Sequence, residues 1–183
     1  MVPAVLFALA ASATSLLPLN LQQLSTRSAL IFYGEAVSNS TKKDKQSGQI
    51  ATYTEFKIIE LIKGHINGLA GSTHTIKQLG GHLAATGTTL RINGIPEFEP
   101  EKKYVVFLPE KSSLGFSSPL GLQQGSFAVS TINDEEYVSV GRPLEHQTAQ
   151  NNSVQVPLAV STDKPAHALL DDFINTVRAY NIP

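Results

Sequence analysis

The stretch from Ala29 to Leu108 constrains the fold more than any other part of this chain. It opens within SALIFYGEAV, passes a polar hairpin to TYTEFKIIELIKG, then runs through QLGGHLAATG and INGIPEFEPEKK to the wholly apolar YVVFL. Short apolar runs divided by Gly, Pro and Asn are the pattern of strands joined by tight turns. The pattern predicts a small β-barrel or sandwich.

Side chains alternate between the two faces of a strand. In the first run Leu30, Phe32 and Ala36 therefore share one face, and Ile31, Tyr33 and Val37 share the other. Both faces are apolar, so this strand is expected to be covered on both sides. Gly34 in its middle points to the sharp bend that closing a small barrel requires. In the second run Phe56 and Ile58 lie on one side while Ile59 and Leu61 fall on the other, and a β-bulge near Ile59-Glu60 restores the register. A third strand, Ser72 to Leu79, alternates Thr73, Thr75 and Lys77 with His74, Ile76 and Gln78. Further strands are predicted at residues 88–92, 103–108, 121–130 and 137–140.

Helices flank these strands. Asn20 caps a short predicted helix that carries Leu21 and Leu24 on one face. Near the other end, Asp163 and Pro165 open a predicted helix over residues 165–180. Its Ala166, Leu169, Leu170, Phe173, Ile174, Val177 and Tyr180 follow the i, i+3, i+4, i+7 rule of a core-facing stripe. The polar stretch 142–164, with Asn151-Asn152-Ser153, reads as a connection.

The chain has 183 residues, 42% of them hydrophobic and 16% charged, which predicts one globular domain over residues 14–183. Lys and Arg total 14 against 15 Asp and Glu, and the basic residues are not concentrated in any segment. Nucleic acid and anionic membrane are therefore not expected partners, because either needs a dense basic face. The tightest basic group, Lys42, Lys43 and Lys45, reads as a solvated hairpin loop. The chain has no cysteine, which removes thiol catalysis, disulfides and thiolate-held metals. Val2 to Ala13 carries no charge and ends in Ala11-Ser12-Ala13, a small-x-small cleavage pattern. It predicts a signal peptide over residues 1–13, a secreted or periplasmic product, and no integral membrane segment in the mature chain. No Lys or Arg precedes this apolar run, a departure from the usual leader, and the competing reading is a buried helix.

The stretch from Gly80 to Pro100, with four glycines and the prolines Pro96 and Pro100, could cradle a phosphate only if a helix followed it, and nothing helical follows. It reads as turns around a short strand. A long loop on a rigid scaffold is where function is commonly carried. The candidate binding residues are accordingly Gly80, Gly81, His82, Gly87, Arg91 and Gly94. His65, His74 and His82 fall within 18 residues and are the metal candidates, yet spacings of nine and eight positions lack the short fixed pair that zinc sites use. The competing reading is three ordinary polar residues on a strand and its flanking turns. No cofactor is implied. Glu97, Glu99 and Glu101, and the group Asp134-Glu135-Glu136, read as solvated turn residues. Neither Gly-x-Ser-x-Gly nor His-Glu-x-x-His occurs. A catalytic triad need not be close in sequence, so an enzyme remains a second class of function.

The strings ALIFYGEAVSNS, TYTEFKIIELIKG, QLGG and GIPEFEPEKKYVVFL resemble a family of uncharacterised bacterial secreted domains over about residues 20 to 140. The most specific parts are Leu61-Ile62-Lys63-Gly64 and Gly94-Ile95-Pro96-Glu97-Phe98. The order of strands is also similar to the netrin-like module, the OB-type barrel of the tissue inhibitors of metalloproteinases. That resemblance implies a mainly β fold: a small closed or partly open OB-like β-barrel over about residues 29–140, with a short N-terminal helix and a C-terminal amphipathic helix. In those inhibitors an N-terminal cysteine chelates the protease zinc. This chain has no cysteine, so that chemistry passes to no residue here. What the resemblance leaves is a secreted barrel whose loops contact a protein partner: a non-catalytic exported protein-binding module, as inhibitor or accessory of a secreted enzyme. The alternative is a small hydrolase or metal-dependent enzyme, which a cleft gathering His74, His82 and a carboxylate would mark.

Overall fold

The computed structural model describes residues 18–66, 71–140 and 166–182. Asn20 begins helix α1 (Leu21–Arg27) with a capping box. Its side-chain oxygen accepts from the Gln23 N–H at 2.7 Å, and Gln23 Oε1 accepts from the Asn20 N–H at 3.0 Å. The strands that follow are β1 (Leu30–Lys43), β2 (Ile50–Lys63), β3 (Thr73–Leu79), β4 (Gly81–Leu83), β5 (Thr88–Leu90) and β6 (Lys103–Leu108). A 3-10 turn at Leu122–Gly125 leads to β7 (Ser126–Ile132), β8 (Glu135–Val140), β9 (Ala166–Leu169) and helix α2 (Leu170–Ala179). Seven strands form one antiparallel sheet in the order β3-β2-β1-β6-β7-β8-β9, and β4 and β5 form a separate hairpin. The mainly β class with two flanking helices is as expected. Strands β3 and β9 stand at opposite ends of the sheet order, so the described strands do not form a closed barrel.

Three register shifts interrupt the β1–β2 ladder. Tyr33 faces Glu60 but Gly34 faces Ile58, so Ile59 bulges out of β2 where the sequence predicts it; Ile62 and Val37 are skipped in the same way. Each bulge strengthens the local twist. Gly34 lies beside the Ile59 bulge because a Cβ there would stand 2.9 Å from the Lys57 carbonyl and 3.2 Å from the Phe32 ring. Val37, expected on an apolar face, is 48% exposed, because its own bulge re-aims it.

The sheet has a core on each face. On one, Ile31, Tyr33, Val105, Phe107, Val138 and Val140 pack against Leu21 and Leu24 of α1 and Leu170, Phe173, Ile174 and Val177 of α2. On the other, Phe32, Ala36, Phe56, Ile58, Ile76, Tyr104 and Val106 meet Phe98, which reaches in from the segment between β5 and β6. Burying each large apolar side chain contributes about 1.5–3 kcal/mol.

The predicted C-terminal helix needs correction. Residues 166–169 are not its first turn but the last strand, β9, which pairs with β8 through Val138↔Ala168 and Val140↔Ala166. The helical stripe holds only from Leu170 onward. Leu170, Phe173, Ile174 and Val177 are buried, while Leu169 is 40% exposed. The strand predicted at 121–130 begins at Ser126, after the 3-10 turn, and the one at 88–92 ends at Leu90. The predicted leader 1–13 and the connection 142–164 lie outside the described residues. Among the described residues no helix is long and apolar enough to cross a membrane.

Candidate functional site

Strand β3 ends the sheet, and its backbone bonds show which way each residue turns. The Ser72 carbonyl accepts from Ile58 N–H at 3.0 Å, and Gly80 N–H donates to the Ile50 carbonyl at 2.9 Å. Antiparallel pairs alternate along a ladder, so Ser72, His74, Ile76 and Gln78 turn their backbone groups toward β2. Thr73, Thr75 and Lys77 turn theirs away. The Lys77 carbonyl is taken by the Ser117 N–H at 3.0 Å, whereas those of Thr73 and Thr75 have no backbone partner among the described residues.

Beside this edge lies a cleft of about 380 Å³, with Thr73, His74 and Thr75 on one side and Glu110, Lys111 and Ser117 on the other. The far wall, residues 109–117, is tied to β3. Lys77 Nζ donates to the Leu114 carbonyl at 2.7 Å and lies 4.3 Å from the Phe116 ring centroid. Lys77 also pairs with Asp44 at 2.8 Å, with only 11% and 7% of the two side chains exposed. Asp44 further accepts from Tyr53 Oη at 2.6 Å, Ser47 Oγ at 2.7 Å and the Ser47 N–H at 2.8 Å. Lys77, then these other donors, hold the Asp44 carboxyl far below the ordinary carboxylate range.

The His74 ring packs 5.8 Å from that of Phe32, and its Nε2 is buried without a hydrogen-bond partner. Burial, reinforced by the nearby Lys111 ammonium, lowers its proton affinity, so the imidazole is neutral at pH 7. Ser117 Oγ is also buried and unpartnered. The two atoms therefore do not bond one another, and Ser117 with His74 does not form the hydroxyl–imidazole pair that activates a serine nucleophile. Among the described residues no three His, Asp or Glu side chains stand close enough to hold a metal ion.

Two of the three candidate histidines, His65 and His74, line this cleft, and Glu110 joins them. His82 lies elsewhere, exposed on β4, with Nδ1 at 2.8 Å from Thr89 Oγ1. The combination of His74, His82 and a carboxylate is thus not assembled. The candidate binding residues from Gly80 to Gly94 fall in and around the β4–β5 hairpin. Gly81, at φ +128°, leaves room for Thr52, whose Oγ1 would stand 2.2 Å from a Cβ there. Thr52 Oγ1 donates to the Gly80 carbonyl at 2.8 Å. Gly94 similarly admits the Leu122 side chain, while Gly87 and Arg91 are exposed.

Glu136, expected in a solvated turn, lies on β8 instead. It accepts from Lys103 Nζ at 2.6 Å and from Tyr33 Oη at 2.7 Å. Burial, and then this carboxylate, push the Tyr33 phenol far above its ordinary value. Sequence reasoning missed Thr75, Lys111 and Ser117, which belong to no motif. The polar Thr73, Thr75 and Lys77 alternation was the one trace of an edge strand. Compared with known proteins, the sequence matches no protein-family model and no curated protein.

Proposed function

We propose that this chain is a non-catalytic exported protein-binding module that captures an extended segment of its partner by strand addition at the free edge of β3. The observation that carries this reading is the outward-turned backbone of Thr73 and Thr75, unpartnered among the described residues and set beside an open cleft. An unpaired edge is a template for another strand: main-chain bonds supply affinity, and adjacent pockets supply selectivity. Such edges are ordinarily blunted by charge, proline or a bulge. Thr73-His74-Thr75 carries no proline and no formal charge with His74 neutral.

Export rests on the Ala11-Ser12-Ala13 leader pattern. A partly open OB-like barrel, with its seam between β3 and the 109–117 wall, is the fold that accompanies this reading. The netrin-like similarity belongs to the same proposal. The test is a random heptapeptide array, followed by amide hydrogen exchange on the complexes with selected binders. Thr75→Pro deletes one outward N–H and leaves the pairing with β2 in place, as edge strands permit. Binding should disappear in this variant while the unfolding midpoint is nearly unchanged, and binders should protect the amides of Thr73 and Thr75. Binders that survive Thr75→Pro, or that protect the β4–β5 hairpin instead, would overturn the reading.

A further inference from the structure

We infer that the captured segment is a chain terminus bearing a free α-carboxylate, received where Lys111, Ser117 and His74 meet the edge of β3. This inference rests on the strand-addition reading. It adds what kind of segment enters.

The length of the free edge argues first. Only Thr73 to Thr75 is open, because at Lys77 the outward carbonyl is already bonded to the Ser117 N–H. At about 3.3 Å per residue, three residues of edge span about 10 Å. A continuous strand would have to turn away from β3 at Ser117. A strand that ends there needs no turn.

The chemistry of the same place argues second. Ser117 is 2% exposed, and its hydroxyl is unpartnered among the described residues. Buried hydroxyls are ordinarily satisfied, so an orphan in a cleft wall points to an acceptor that arrives from outside. His74 Nε2, on the facing side of the same cleft, is a second orphan. Lys111 makes no ion pair among the described residues and lines the same cleft. A carboxylate is an acceptor-only group that offers about four lone-pair sites. It therefore complements the Lys111 ammonium and the Ser117 hydroxyl together, and His74 Nε2 as well in the tautomer that carries its proton there. The opposing charge, Glu110, is exposed on the rim, where solvent and salt screen it.

The experiment uses matched random heptapeptide libraries, one ending in free carboxylates and one in C-terminal amides, against the wild-type chain, Lys111→Met, Ser117→Ala and Thr75→Pro. The expected result is at least a tenfold preference for the free acids, reduced severalfold by Lys111→Met and by Ser117→Ala. Neither substitution should lower the urea midpoint, since Lys111 is exposed and Ser117 has no bond through its hydroxyl to lose. Equal binding of acids and amides, both abolished by Thr75→Pro, would overturn the terminal-carboxylate inference and leave strand addition standing. Binding of neither library would overturn both.

Discussion

Phe98 belongs to no strand, yet the packing assigns it the closing position of one core. It is 3% exposed, and its ring lies 4.9 Å from Phe56 and 5.0 Å from Tyr104, nearly perpendicular to each. Phe98→Ala removes the ring and leaves a cavity, which costs about 3–5 kcal/mol. Phe98→Leu keeps most of the apolar volume and loses two edge-to-face contacts. At about 0.5–1.5 kcal/mol each, they amount to about 1–3 kcal/mol. With a urea slope of about 2 kcal/mol/M, the midpoint should fall by about 2 M for alanine and about 1 M for leucine. Urea unfolding followed by far-ultraviolet circular dichroism reads these shifts, with tyrosine emission as the second probe because the chain has no tryptophan. The backbone anchors of the segment survive both substitutions. Asn39 Nδ2 still donates to the Phe98 carbonyl at 2.6 Å, and the Glu99 N–H to Tyr104 Oη at 3.0 Å. The loss therefore reports the ring itself. A Phe98→Ala protein within about 1 kcal/mol of wild type would refute the assignment of this segment to the core, since no buried phenylalanine is removed so cheaply.

Asp44 binds its proton more weakly in the folded than in the unfolded chain, with Lys77 as the first cause. The stability it brings is thus complete above the ordinary carboxylate value of about 3.9 and drains as pH falls through the depressed folded value. Asp44→Asn should flatten the acid limb of the urea midpoint against pH, and an unchanged limb would sink this account. Tyr33 stays protonated where exposed tyrosines ionise, chiefly through burial and then through Glu136. Alkaline spectrophotometric titration of the folded protein should therefore fall at least one phenolate short of the five tyrosines, and Tyr33→Phe should remove one from that shortfall. Gly87→Ala meets no atom within 4 Å and should cost only the left-handed backbone penalty of about 1–2 kcal/mol. Gly81→Ala drives a Cβ against Thr52 and Thr41, so its melting temperature should fall well below that of Gly87→Ala; equal losses would contradict the packing of the hairpin.

Period and punctuation made much of the fold legible. The apolar pairs at Ile31/Phe32 and Val105/Val106 announce a sheet covered on both faces, and the slip between Ile58 and Ile59 announces a bulge that the ladder contains. Asn20 announces a helix start, and the structure adds Gln23 to its cap. The same logic failed at residues 166–169 because four residues fit a strand and a helix equally well by pattern. The free edge of the β8 strand decided between them, and its availability is a property of the sheet rather than of Ala-His-Ala-Leu.

The site was less legible for a related reason. Which strand ends a sheet depends on distant pairings: β1 lies between β2 and β6, and β7 lies beside β6, so β3 is left outside. The polar alternation of Thr73, Thr75 and Lys77 hints at an edge but does not by itself fix that position. Ser117 acquires its place only because its N–H reaches the Lys77 carbonyl, which is itself positioned by an ion pair to Asp44 in the β1–β2 hairpin. The wall and the strand are therefore one assembly, in which the chain closes the Lys77 end of the β3 edge with its own backbone. Among the described residues the outward backbone of Thr73 and Thr75 has no partner, and Ser72 Oγ, His74 Nε2 and Ser117 Oγ nearby are buried without a hydrogen bond. Beside the opening Phe32 and Ile76 are fully buried, whereas Leu114 of the facing wall is 40% exposed. Closure at the Lys77 end, with the outward backbone of Thr73 and Thr75 unpartnered among the described residues, is the arrangement that the proposed strand addition requires.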